Sequence, residues 1–250
     1  IQEAHNDNSS TPAFADGYWV MYDYNRGYTD DLEASGVMDL FRLPKFSHYF
    51  YQSQRDANHP QGNPMVFIAN YWTPDSDLNV RVFSNCEEVE LFLNGKSLGK
   101  QGPDKNRIST HLNHPPFTFS LTKFEAGELK AVGYIERKQT TEYVVKTPEK
   151  AKKLQLEVDD YKQYVSDELF DLVFVYVHAV DQNSTIVPNY QEVVTLSATD
   201  GVEIIGQDTI PAEAGIAPFL IKIPKGTQTW TLNATASNLQ TDTKTYSYEK

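Results

Sequence analysis

Val89-Glu90-Leu91-Phe92-Leu93 carries an apolar residue at every second position and runs directly into Asn94-Gly95. A period of two places Val89, Leu91 and Leu93 on one face of a strand. Asn-Gly accepts positive φ at both positions, which a two-residue hairpin turn requires. The stretch therefore predicts a strand, a tight turn and an antiparallel return. Outward from it the same signal repeats in Met65-Val66-Phe67-Ile68-Ala69, Asn79-Val80-Arg81-Val82-Phe83, Phe117-Thr118-Phe119-Ser120-Leu121 and Leu129 to Ile135. Short strands at such spacing, with turn residues between them, predict an antiparallel sandwich of immunoglobulin type over residues 61–147.

Thr147-Pro148-Glu149-Lys150-Ala151-Lys152-Lys153 reads as a charged linker. A second β series follows: Leu154 to Val158, Leu172 to Val180, Val193 to Leu196, Ala217 to Ile223 and Trp230 to Ala234. A second sandwich over 148–250 accounts for it, with no evident sequence repeat between the two.

Residues 1–60 have a different texture. Gly17-Tyr18-Trp19-Val20-Met21-Tyr22-Asp23-Tyr24 is a nearly continuous apolar run ending on polar groups. That suits a strand buried on both faces, whose C-terminal end emerges at a site. Pro44 fits the first turn of a helix, where its missing N–H costs nothing. Phe46, Tyr49, Phe50 and Ser53 then recur at helical spacing and predict an inward aromatic stripe. A strand followed by a helix is half of a βα repeat, and such a piece cannot cover a parallel sheet alone. Trp19, Tyr22, Phe41, Phe46 and Phe50 are expected to drive self-association, or docking of this segment onto the first sandwich, since large exposed apolar patches associate.

The whole chain has 250 residues, 40% hydrophobic, with 22 Lys and Arg against 34 Asp and Glu and a formal net charge of −12. Nucleic-acid binding needs clustered cations, and the densest basic run here is the Lys146 to Lys153 linker, so nucleic acid and anionic membrane surfaces are set aside as partners. No apolar run approaches the ~18 residues of a membrane helix. The start, Ile1-Gln2-Glu3-Ala4-His5, has neither the basic end nor the apolar stretch of a signal peptide. Without an initiator Met, the chain is expected to be a processed product or a piece of something longer. A single cysteine, Cys86, excludes an internal disulfide and a Cys-rich zinc site, and reads as a small apolar filler in a strand.

Candidate chemistry is sparse. Glu87, Glu88 and Glu90, Asp30-Asp31, and Asp159-Asp160 are acidic neighbours, but adjacent strand residues face opposite ways, so these read as solvated surface. His111 and His114 precede Pro115-Pro116, which argues against a helix presenting both to a metal. No G-x-S-x-G elbow, phosphate-binding Gly-rich loop or H-E-x-x-H occurs. The informative polar group is Asp23-Tyr24-Asn25-Arg26-Gly27. On chemistry alone it reads first as an Asp–Arg pair tying a βα loop. Its second reading is a sugar site, in which carboxylate, amide and guanidinium bind hydroxyls and Trp19 and Tyr22 cover an apolar sugar face.

Gly17 to Tyr28, then Ser35-Gly36-Val37-Met38-Asp39-Leu40-Phe41-Arg42-Leu43-Pro44-Lys45-Phe46, resembles the last strand and helix of a catalytic (β/α)8 barrel in the β-galactosidase-like branch of glycoside hydrolase family 2. Ser84-Asn85-Cys86-Glu87-Glu88-Val89-Glu90-Leu91-Phe92-Leu93-Asn94-Gly95-Lys96-Ser97-Leu98-Gly99 is similar to a signature of the sandwich that follows that barrel. Asp171 to Val175 with Asp181, then Ala212-Glu213-Ala214-Gly215-Ile216-Ala217, resembles the family's bacterial-Ig-like module. The resemblance implies a mainly β chain, two immunoglobulin-like sandwiches preceded by a barrel remnant. It implies a retaining parent enzyme with two glutamates about 5 Å apart, both before Ile1. No catalytic residue is then expected in this chain, which should be inert alone, with no cofactor and no metal. Trp19 would be a barrel-wall aromatic near the sugar subsite, and Asp23, Asn25 and Arg26 would line or brace its rim. A carbohydrate substrate, met through the full-length parent, and a periplasmic or extracellular location are also implied. Against this stand two other classes: a carbohydrate-binding module using Trp72 or Trp230 as an aromatic platform, although each reads more readily as core, and a structural spacer.

Overall fold

The computed structural model describes residues 1–15, 17–159 and 170–247. The chain is mainly β and divides into two compact units, Ile1–Thr147 and Pro148–Lys250.

The first unit begins with helix α1 (Gln2–Ser9) and two-residue strands β1 (Tyr24–Asn25) and β2 (Leu32–Glu33), followed by helix α2 (Phe46–Ser53). Strands β3 (Val66–Ile68), β4 (Asn79–Ser84), β5 (Glu88–Leu93), β6 (Lys96–Gln101), β7 (Phe117–Ser120), β8 (Glu128–Ile135) and β9 (Lys138–Lys146) complete it. They form two antiparallel sheets, ordered β3-β4-β7 and β6-β5-β8-β9. One core joins them: Val66, Ile68, Val80, Val82, Phe117 and Phe119 from the first sheet meet Val89, Leu91, Leu93, Leu129 and Ala131 from the second. The alternation in β5 does what its sequence predicts, burying Val89, Leu91 and Leu93 between half-exposed neighbours. Asn94 and Gly95 take φ of 52° and 78°, so that Leu93 pairs with Lys96 across the turn. Cys86 is buried, but in the β4–β5 turn rather than in a strand.

The expected strand over 17–24 is not continuous. Tyr22 makes an isolated parallel bridge to Met38, and only Tyr24 and Asn25 pair, with Glu33 and Leu32. A strand of parallel type needs partners on both edges and cover on both faces, and the described residues supply little of either. Trp19 and Met21 consequently stand 70% and 55% exposed. The predicted helix is present as α2, with Lys45 rather than Pro44 next to its first residue, and Pro44 bridged to Met38 instead. Its aromatic stripe does not stay open. Phe50 is buried with Phe67, Phe83 and Leu112, and Phe46 and Tyr49 pack beside them. Tyr49 stacks on Phe67 with ring centroids 3.6 Å apart. Of the two outcomes expected for this segment, docking is realised for the helix.

The second unit holds β10 (Lys153–Asp159), β11 (Asp171–Val180), β12 (Val193–Ala198), β13 (Glu203–Ile205), β14 (Thr209–Pro211), β15 (Ile216–Ile223), β16 (Thr229–Ala236) and β17 (Asp242–Ser247). Its sheets run β10-β11-β15-β13 and β14-β12-β16-β17. Alternate residues of β15 (Ala217, Phe219, Ile221, Ile223) and β16 (Trp230, Leu232, Ala234) fill their common core. The run expected to be a linker is mostly tied down. Thr147 donates its Oγ1 to Trp72 O at 2.9 Å, while in the second unit the Glu149 N–H donates to Asp181 Oδ2 at 3.0 Å and Lys152 N–H to Val180 O. Burial would raise the Asp181 carboxyl, but the backbone N–H groups of Glu149, Thr185 and Asn183 favour its ionised form and hold it below the ordinary carboxylate range.

His178 in β11 is also buried, its Nε2 lying 3.0 Å from Glu157 Oε2 and its Nδ1 without a hydrogen-bond partner. Burial is the largest influence and lowers its pKa, Lys244 adds to that, and Glu157 opposes it. A pKa below the unfolded value of about 6.5 means that the unfolded chain takes up the proton first. The neutral imidazole's contribution to stability is therefore complete above that pH and is lost as pH falls toward the folded value. Between pH 7 and 5, His178→Phe is expected to lose less stability than wild type, as read by urea midpoints of the second unit. Parallel midpoint curves would count against the assignment.

Candidate functional site

The polar group at 23–27 is held by short-range constraints. Gly36 approaches so closely that a Cβ there would lie 2.3 Å from Asp23 N and 2.4 Å from Met38 O, so no larger residue fits without backbone movement. That approach lets Gly36 N–H donate to Asp23 Oδ1 at 2.8 Å. The same oxygen receives Lys45 Nζ at 2.7 Å, and the ammonium also donates to Ala34 O at 3.1 Å. Asp23 is buried while the lysine remains partly open to water. Arg26 pairs with Glu33 across the β1–β2 ladder. Asn25 Oδ1 accepts the Gly27 N–H at 3.0 Å and closes the turn.

The expected Asp–Arg pair is thus replaced by two separate pairs, Asp23–Lys45 and Arg26–Glu33. The reason is register: Arg26 follows a strand pair that brings Glu33 beside it, while Asp23 is turned toward the residue ahead of α2. Trp19 meets the group through its edge, with Nε1 donating to Tyr24 OH at 3.1 Å and the two rings T-shaped at 6.1 Å. Tyr22 lies under the Arg42 guanidinium at 5.5 Å.

Three contributors were not singled out by sequence reasoning: Lys45, Glu33 and Asp39. Asp39 Oδ1 accepts N–H groups of Phe41 and Leu43 at 2.8 Å each, shaping the turn before α2. Burial nevertheless pushes its carboxyl above the ordinary value. The nearby Asp23 charge adds to the rise, and the two N–H donors and Lys45 oppose it. Tyr18, whose hydroxyl donates to Ser35 O at 2.7 Å, is raised by burial and then by Asp23. The arrangement holds a buried carboxylate, an ammonium and exposed aromatic rings at one chain end. Its charges are already paired with one another.

Asp23→Ala leaves the Gly36 N–H without its buried acceptor, a loss of about 1–3 kcal/mol. Lys45 can turn to water, so the effect should stay local. Hydrogen exchange is expected to speed over residues 18–45 and to remain unchanged in β5 and β8. Unchanged protection at Gly36 would contradict this geometry.

The other candidates resolve into separate contacts. Glu87 accepts the Glu136 N–H, and Glu90 accepts from Ser97 and Tyr134. Asp30 and Asp31 lie exposed in the β1–β2 turn, and Asp160 falls outside the described residues. His111 N–H donates to Asn6, while His114 Nε2 sits 2.8 Å from Asp56. Among the described residues no group of three or more His, Cys, Asp or Glu is placed to hold a metal ion. No helix there is long and apolar enough to cross a membrane. Trp72 is fully enclosed and Trp230 is 3% exposed, so neither offers an open platform.

Comparison with known proteins adds an independent view. Residues 75–141 match a family described as a domain of unknown function (DUF4982). The chain is 35% identical over 222 residues to a β-galactosidase of Thermoanaerobacter pseudethanolicus, a match covering 82% of this chain and 29% of that protein. Other relatives are named β-galactosidase or β-glucuronidase. In fold, it superposes on a β-glycosidase from Bacteroides vulgatus with a TM-score of 0.74 at 19% identity, covering 90% of this chain and 30% of that one. A glycosyl hydrolase family 2 member from Bacteroides cellulosilyticus gives 0.71 at 21% identity, covering 91% and 33%. The chain therefore spans less than a third of the length of the curated relatives that it matches.

Proposed function

We propose that this chain, homologous to partial regions of larger β-galactosidases and like family 2 glycoside hydrolases in fold, is the non-catalytic C-terminal portion of a retaining β-galactosidase-like hydrolase. Residues 1–60 are the end of its (β/α)8 barrel, and the two pairs of sheets are immunoglobulin-like domains that buttress it. The observation that carries this reading is the docking of α2. Phe46, Tyr49 and Phe50 are packed on Phe67 and Phe83, so the barrel-end segment and the first pair of sheets share one core. A spacer would not need to share a core with the element that it spaces.

In this reading Asp23 and Arg26 brace the rim through Lys45 and Glu33, Asn25 closes the adjoining turn, and exposed Trp19 meets a sugar ring. The two glutamates of the retaining reaction lie upstream, because barrel chemistry is assembled from several strand ends at one face. The parent acts on β-galactosides or related glycans outside the cytoplasm. Phe14, Met21 and Tyr28, all more than half exposed here, are covered by upstream barrel elements in that parent. Expressed alone, this chain should self-associate through them. Light scattering gives the test: oligomers that Met21→Ser with Tyr28→Ser converts to monomers would support the reading, and a monodisperse wild-type monomer would oppose it.

A further inference from the structure

Asn94-Gly95 is the chain's single Asn-Gly pair, and it forms the exposed turn between β5 and β6. The dipeptide suits a hairpin turn, and it is also prone to lose its side-chain amide. Glycine has no side chain to shield its N–H, so its backbone nitrogen can attack the preceding carboxamide. Here that carboxamide is occupied. Its Oδ1 accepts the Glu128 N–H at 2.9 Å, and its Nδ2 donates to Glu125 Oε1 and Ala126 O at 3.1 Å each. The Asn94 N–H donates to Glu128 O at 2.9 Å. Gly127 permits this approach: it sits at a φ of 141°, and a Cβ there would lie 1.8 Å from Asn94 Oδ1.

Residues 125–128 hold more than the turn. Glu125 O accepts the Trp72 Nε1–H at 3.0 Å. Gly127 N–H donates to Thr147 Oγ1 at 3.1 Å, and its carbonyl accepts the Thr147 N–H at 2.8 Å. The Asn94 amide therefore fastens the β5–β6 turn to the stretch that also holds a core tryptophan and the last residue of the first unit.

We propose that Asn94 is a site of one-way modification by deamidation, which proceeds only when residues 125–128 lift from the turn and which then prevents their return. Gly95 N bonds to Asn94 Cγ, the Cγ–Nδ2 bond breaks, and Nδ2 leaves as ammonia with the Gly95 amide proton. Water opens the resulting succinimide at either carbonyl, giving aspartate or isoaspartate, and no oxidant or reductant is consumed. Ring closure turns Cγ onto Gly95 N and away from Glu125, Ala126 and Glu128, so the closed loop blocks it. After conversion an oxygen stands where Nδ2 donated, facing Glu125 Oε1 and Ala126 O. Acceptor then meets acceptor, and the fastening is lost. Isoaspartate also adds a main-chain atom to the turn, which disturbs the Leu93–Lys96 pairing.

The test is peptide mapping by mass spectrometry on the full chain, kept folded or in urea at mildly alkaline pH. Folded wild type should convert Asn94 about tenfold or more slowly than the unfolded chain, because local opening limits the reaction. Gly127→Ala, which drives a methyl group onto the Asn94 oxygen, should bring the folded rate close to the unfolded one. Glu125→Ala, which removes only an exposed side chain, should raise it severalfold. Equal rates in folded and unfolded wild type would overturn the proposal, as would a Glu125→Ala protein, folded by circular dichroism, that converts no faster than wild type. The one-way step is read on Asn94→Asp. Hydrogen exchange is expected to accelerate at Gly127, Glu128 and Thr147 and to stay unchanged in β4, with added Glu125→Gln restoring much of the protection. Wild-type protection at Glu128 in Asn94→Asp would show that the acid still holds the loop and would overturn that step.

Discussion

Trp72→Ala is expected to destabilise the first unit by about 3–5 kcal/mol, the range for emptying a buried large aromatic site. The indole is fully enclosed, packs 5.0 Å from the Phe124 ring and belongs to the core shared by both sheets. Truncation removes that contact area and leaves a cavity. It also takes the Nε1–H donor from Glu125 O. Trp72 further occupies a left-handed backbone conformation with φ of 49°, fixed by its neighbours' hydrogen bonds, so the site has little freedom to collapse around the smaller residue. Urea unfolding followed by circular dichroism should show a lower midpoint for the first unit and an unaltered one for the second. A change below about 1 kcal/mol would mean that the ring is open to solvent, and the aromatic-platform reading would return.

Phe50→Ala is expected to cost a similar amount, about 3–5 kcal/mol, but with a different spatial signature. Phe50 is 2% exposed and meets Phe83 edge-on at 5.7 Å, at the centre of the interface between α2 and the sheet. An eight-residue helix is not stable by itself, because helix nucleation is unfavourable and short helices draw their stability from packing. Removing the anchor should therefore release α2. Amide exchange is expected to accelerate across residues 44–55, with β5 and β8 keeping most of their protection. Protection of α2 at wild-type levels in the variant would show that Phe50 is not what holds the helix.

Legibility in the sequence followed how each element is stabilised. Strands that bury alternate side chains, such as β5 and β15, declare themselves through period-two apolar residues, and the Asn94-Gly95 turn declares itself through its φ values. Strand β9 and helix α1 were not legible. Strand β9, Lys138–Lys146, is mostly polar because it is exposed along nearly its whole length and held by its ladder to β8. Helix α1 has one buried residue, Asn6, and docks through hydrogen bonds: Asn6 Nδ2 to Arg107 O and His111 N–H to Asn6 Oδ1. Polar docking leaves no hydrophobic period to read. The strand-end group was half legible. Asp23, Asn25 and Arg26 stand out as polar residues after an apolar run, but their true partners, Lys45 and Glu33, lie 22 and 7 positions away and depend on the close approach at Gly36. The burial of Trp72 and Trp230 agrees with the core reading that the sequence favoured for both, although an indole can also serve as a sugar platform.

The measurement that most directly tests the central proposal is hydrolysis of β-galactosides and other β-glycosides by two proteins, this chain and its version extended upstream, with the product anomer followed by NMR. The account predicts no turnover by the chain alone, and turnover with retained configuration by the extended protein. An extended protein that is folded yet hydrolyses no β-glycoside, or turnover by these 250 residues alone, would contradict it.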